Sequence, residues 1–110
     1  MLRGAILYDH QGLTRTLSIG DGSLSTTAIK WRDMTSISVF KRDLFSYDLI
    51  CMVIRTGTVE LEFDEEMDGW ESAIEALPKY LPGASSPAEW WDKVVHPAFA
   101  LSETLLFEAG

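Results

Sequence analysis

The residues of this chain with the most chemical reach are two histidines, one cysteine and seventeen carboxylates. His10 and His96 stand far apart, and no Cys-x-x-Cys or His-x-x-x-His spacing accompanies them. A zinc site needs three or four such ligands at one locus, so no metal site is predicted. His10 reads as a turn residue. His96, just before Pro97, reads as a partner for carbonyls at a helix C-terminus. Asp64-Glu65-Glu66-Met67-Asp68 is dense in oxygen ligands but lacks the alternation, central glycine and terminal glutamate of a calcium loop. It is better read as a solvated, acidic helix entrance. Cys51 lies inside an apolar run, whereas a reactive thiol needs electropositive, partly open surroundings, so inert packing is expected. Gly20-Asp21-Gly22 is followed by neither lysine nor helix and reads as a turn rather than a phosphate loop. No serine sits in a Gly-x-Ser-x-Gly turn. The sequence therefore predicts no catalytic residues and no cofactor.

Two aromatic clusters have a stronger claim as binding surfaces. The segment 40–47, Phe-Lys-Arg-Asp-Leu-Phe-Ser-Tyr, joins two strand patterns and mixes aromatics with paired bases, an interface composition. Its candidate binding residues are Lys41, Arg42, Leu44, Phe45 and Tyr47; the alternative is that Leu44 and Phe45 tuck under the end of the sheet. Trp90-Trp91 is the second cluster. Adjacent helix positions point about 100° apart, so Trp90 can share a face with Val94 while Trp91 meets a different one. The alternative is a short helix in a groove with both rings packed.

Charge divides the chain. Residues 1–55 hold seven Lys/Arg and five Asp/Glu, whereas residues 56–110 hold two and twelve. Eight acids and no base fall between positions 56 and 78, and Glu60, Glu62, Asp64, Glu65 and Glu66 form a candidate acidic surface. Phosphate recognition needs clustered Lys/Arg, so nucleic acid and anionic lipid are excluded as expected partners. A basic protein is permitted. The single cysteine fits a reducing compartment. The N-terminal apolar run stops at Asp9-His10, too early for a signal peptide, and nothing approaches the roughly 18 apolar residues of a membrane span. A cytoplasmic protein is expected.

The elements that must position these residues follow from periodicity. A chain of 110 residues, 46% of them hydrophobic, supports one domain. Residues 5–8 suggest a short strand. Leu13, Leu17 and Ile19 share a face at period two, and after the glycine turn Leu24, Thr26 and Ala28 do the same. Residues 31–34 form a connection and 35–41 a further strand. Residues 48–55 are nearly continuously apolar and 58–64 alternate. With Thr56-Gly57 as the loop, Ile54 would face Val59, Met52 Leu61 and Ile50 Phe63. Leu49, Cys51 and Val53 would then lie on a second apolar face that needs a cover: the C-terminal segment, a bend of the sheet, or a second subunit.

Trp70, Ala73, Ile74, Leu77 and Leu81 mark a core-facing helix, with Asp68 and Glu71 at capping-box spacing and Pro82-Gly83 as its stop. Ser86-Pro87-Ala88-Glu89 opens a second, short helix running to about Val95. The tail 104–107 fits either a final strand or an extended packing segment.

The stretch 24–81 resembles the small bacterial pleckstrin-homology-like domains. Lys30-Trp31-Arg32-Asp33-Met34-Thr35-Ser36-Ile37 looks like their I-x-W-x-D-I-x-x-I segment, with Met34 at one apolar position. Residues 57–63 and 68–77 look like their last strand and closing helix. The resemblance covers about half of the chain and implies an α+β fold: a bent antiparallel sheet or partly open barrel of six to seven strands, capped by an amphipathic helix. Residues 84–110 would be an extension packed on it. The resemblance also implies binding rather than catalysis. Lipid-binding members carry several bases on the first two strands, where this chain offers only Arg15 and His10, so phosphoinositide binding is not expected. The function expected is a binding or assembly module that contacts a protein partner or a second copy of itself. An acidic, immunity-type inhibitor of a basic partner is the alternative, and a small enzyme whose site is not readable from sequence the third reading.

Overall fold

A computed structural model describes residues 3–18, 20, 22–95 and 103–109. The fold is α+β, with seven antiparallel strands and two α-helices among the described residues. The strands are β1 (Arg3–Tyr8), β2 (Gly12–Ser18), β3 (Leu24–Lys30), β4 (Met34–Asp43), β5 (Asp48–Thr56), β6 (Glu60–Asp64) and β7 (Thr104–Glu108). They divide between two sheets, β1-β2-β3 and β6-β5-β4-β7. Among the described residues no ladder joins the two, so the strands form neither one continuous sheet nor a closed barrel. The tail 104–107 is a strand, placed on the free side of β4.

Hydrophobic period decides which face of each strand is buried. In the first sheet Leu13 pairs with Ile29, and both are buried. Leu24, Thr26 and Ala28 do share a face, as their spacing predicts, but that face is exposed. In the second sheet Ile54 pairs with Leu61 and Met52 with Phe63. The expected register is thus offset by two residues, which keeps Leu61 and Phe63 on their predicted core face but leaves Val59, the expected partner of Ile54, exposed beyond the end of β6. The cause is local: Gly57-Thr58 form the loop, closed by the Thr56 amide on the Val59 carbonyl at 2.8 Å. The Thr56 hydroxyl also accepts the Thr58 and Val59 amides.

The second face of β5 is sealed from within the chain. Leu49, Cys51 and Val53 are buried. Arg42 on β4 reaches across β5 to Glu62 on β6 at 2.7 Å, and its guanidinium lies 5.4 Å from the Phe40 ring. Among the described residues these long side chains, rather than the C-terminal segment or another subunit, roof Cys51.

Helix α1 (Trp70–Tyr80) buries Trp70, Ala73, Ile74 and Leu77, the stripe its 3.6-residue period predicts. Each large apolar side chain contributes about 1.5–3 kcal/mol. Its start differs from the predicted Asp68–Glu71 capping box. Gly69 is the N-cap, with φ of 87°, and no side chain caps the helix. Asp68 is used through its backbone instead, donating to the Gly4 carbonyl (2.9 Å) and accepting from the Ile6 amide (2.7 Å). A Cβ at position 69 would run into the Ile6 carbonyl, so only glycine fits where the chain passes β1 so closely.

Helix α2 (Pro87–Val95) begins as predicted, with Glu89 accepting from the Ser86 amide at 3.1 Å. His96 and Pro97 lie outside the described residues, so their assigned role at the end of α2 does too. Trp31 opens a single 3-10 turn, stacks on Tyr80 at 5.0 Å and donates to the Asp9 carbonyl at 2.8 Å. His10 sits in the β1–β2 turn, which Asp9 closes by accepting the Gln11 and Gly12 amides.

Candidate functional site

Strand alternation puts Glu60, Glu62 and Asp64 on one face of β6, and the turn after it carries Glu65 and Glu66. Glu60 pairs with Arg55 at 2.9 Å, and Glu62 with Arg42. Asp64 accepts the Glu66 amide, and Glu66 accepts the Tyr47 hydroxyl at 3.0 Å. Glu65 points elsewhere, its carboxylate accepting the Ile50 amide at 2.9 Å. The acidic surface is therefore two surfaces, one on each side of this segment.

The first is a groove of about 400 Å³ between the two sheets. Its apolar lining is Leu17, Leu44 and Met67; its polar lining is Arg15, Tyr47, Glu62, Asp64 and Glu66. Five residues singled out from the sequence thus meet in one concavity. Arg15 spans the seam, donating to the Glu62 carbonyl at 2.7 Å and lying 6.0 Å from the Phe63 ring. Its Nε is buried with no acceptor among the described residues, and burial lowers the guanidinium pKa. The Glu66 carboxylate, by taking the Tyr47 proton in a hydrogen bond, holds that phenol above its usual range.

The rim of this groove is the β4–β5 hairpin tip. The Leu44 amide donates to the Tyr47 carbonyl at 2.9 Å, and Asp43 accepts the Phe45 amide at 2.9 Å. This holds Phe45 at φ 73°, in the left-handed region. A non-glycine residue costs about 1–2 kcal/mol there. Phe45 is 99% exposed, while Leu44 is half-buried. The expectation that both tuck inward holds only for Leu44.

Lys41 and Arg42 do not belong to the tip. Both lie in β4, on opposite faces. Lys41 follows Ile37 and Val39 inward and is 2% exposed, donating to the Val95 carbonyl at the end of α2 (2.9 Å), with Asp48 at 3.6 Å. A cation at a helix C-terminus is favourably placed, so Lys41 serves the fold. Its parity with Ile37 and Val39 was the sequence signal for that burial.

The second concavity, about 290 Å³, brings Trp91 together with Glu65, Trp70, Glu71, Ile74 and Glu75. Trp90 is buried and Trp91 is 37% exposed, so the two indoles divide as helical geometry requires. Cys51 is out of reach of any ligand: burial, reinforced by Glu62 and Asp64 and opposed by Arg42, pushes its thiol pKa up to about 12. Among the described residues no cluster of His, Cys, Asp or Glu could hold a metal, and no helix is long and apolar enough to cross a membrane.

Sequence reasoning missed Leu17 and Met67 and saw Arg15 only as an isolated base. The available signal was parity, since Arg15 occupies the inward face between Leu13 and Leu17. The chain matches no family model, no curated protein and no solved structure.

Proposed function

We propose that this chain is a non-catalytic binding module of pleckstrin-homology-like architecture whose partner is a basic, partly apolar protein segment. The architectural reading is supported by an antiparallel strand meander closed by a tryptophan-bearing amphipathic helix. The observation that carries the functional reading is the groove, in which apolar side chains meet three carboxylates beside a hairpin tip whose phenylalanine is fully exposed. An apolar lining binds aliphatic side chains, and the carboxylates select lysine or arginine beside them. Phe45 has the size and exposure of an anchor residue. In this reading Arg42 and Arg15 hold the site open: one fixes Glu62, the other fixes the distance between the sheets.

A photo-crosslinking amino acid at position 45, used in the cell of origin, tests this. Adducts should form on a Lys/Arg-rich segment and disappear when Asp64 and Glu66 are changed to lysine. Adducts on acidic segments, or yields indifferent to those changes, would overturn the reading.

A further inference from the structure

A two-sheet fold has four edge strands, here β1, β3, β6 and β7. Exposed edges invite pairing, and proteins ordinarily cover or charge them. Three of them carry a hydrogen-bonded partner on the outer side among the described residues. The edge of β1 is closed by the exchange of Gly4 and Ile6 with Asp68, and that of β7 by the Ser85 amide on the Leu106 carbonyl at 2.9 Å. On β6, Arg15 takes the Glu62 carbonyl.

Strand β3 is different. Among the described residues its outer side makes no backbone hydrogen bond. The turn at 56–59 stands off from it across a cleft of about 410 Å³. The strand's only charge is Lys30 at the last position, since Leu-Ser-Thr-Thr-Ala-Ile runs from 24 to 29 without charge or proline. The middle of the solvent face it shares with β1 and β2 is likewise uncharged, formed by Ala5, Leu7, Thr14, Thr16, Thr26 and Ala28, with Lys30 at its end. Leu7 and Leu24 stand 65% and 68% exposed.

We propose that β3 is a self-association edge and that its occupant is β3 of a second copy, paired antiparallel about a two-fold axis through Thr26. The choice of a second copy rests on charge and register. The chain carries −8 overall, so most surfaces repel themselves, but residues 24–29 of this edge are uncharged and can face their own image. Keeping both outer faces on one side of the joined sheet requires pairs of equal parity. The register centred on Thr26 then places Thr26 opposite Thr26, Leu24 opposite Ala28 and Ser25 opposite Thr27. Lys30 falls opposite Gly22, so no like charges meet. The product is a continuous six-stranded sheet, and the groove of each copy stays free because no residue of β3 lines it.

Sedimentation equilibrium across a concentration series, with amide hydrogen exchange on the same samples, tests this. A reversible dimer should form, and exchange should slow with concentration across β3 but not at 44–47. The exposed substitution Thr26→Lys sets two cations face to face across the axis and should weaken the dimer about tenfold or more. Phe45→Ala should leave it unchanged, which separates this proposal from the groove's. A monomer at every concentration would overturn the proposal. So would a dimer protected elsewhere, or one indifferent to Thr26→Lys.

Discussion

The two sheets are built to different standards of closure. In β6-β5-β4-β7 the central strand β5 is buried along both faces, with the core on one side and the Arg42–Glu62 bridge over Cys51 on the other. In β1-β2-β3 only one face is buried, and the other is open, with small and hydroxyl side chains across its middle. One sheet is a platform that holds the Leu44–Tyr47 tip in a strained, presented shape; the other offers contact surface. The groove lies at the seam between them, where a single arginine replaces a ladder.

The largest expected difference between the sheets is in stability. Phe63→Ala, at a fully buried site, should cost about 3–5 kcal/mol in denaturant unfolding. Leu24→Ala, on the open face, should stay within about 0.5 kcal/mol. Comparable losses at both sites would erase the distinction.

Thiol chemistry probes the roof. Cys51 in the native protein should react with a disulfide reagent at least about a hundredfold more slowly than in the unfolded chain. Arg42→Ala should speed the reaction by unroofing the strand. Because the folded thiol titrates near 12 and the unfolded one near 9, the native state keeps a proton that the unfolded state loses in between. This group's contribution to stability is therefore full below pH 9 and declines as pH rises toward 12. Unfolding free energies that hold level or rise across that interval, relative to Cys51→Ser, would contradict the assigned burial.

The smallest effect is the most telling for function. Phe45→Gly relieves a left-handed backbone at an exposed position and should raise stability by about 1 kcal/mol while removing the anchor from the groove rim. A loss of stability would show that Phe45 packs somewhere.

The core was legible because it depends on local period. The α1 stripe and the apolar run of β5 can be read at sight, and the inward parity of Lys41 could have been. What escaped depends on a neighbour distant in sequence. Gly69 replaces the Asp68 cap because β1 passes beside it, and β1 uses the backbone of Asp68. The tip residues and the acids were visible as separate candidates. Their union was not, since it requires Leu17 and Arg15 from the opposite sheet.

The central claim is that the groove takes a basic, partly apolar segment. The most direct measurement is an amide NMR titration of the full chain with a short peptide alternating arginine and leucine, run beside its glutamate counterpart. The account predicts saturable shifts at Leu17, Leu44, Tyr47 and Glu66 with the arginine peptide, weakening as salt rises. Equal shifts with the glutamate peptide, or shifts confined to surfaces away from the seam, would contradict it.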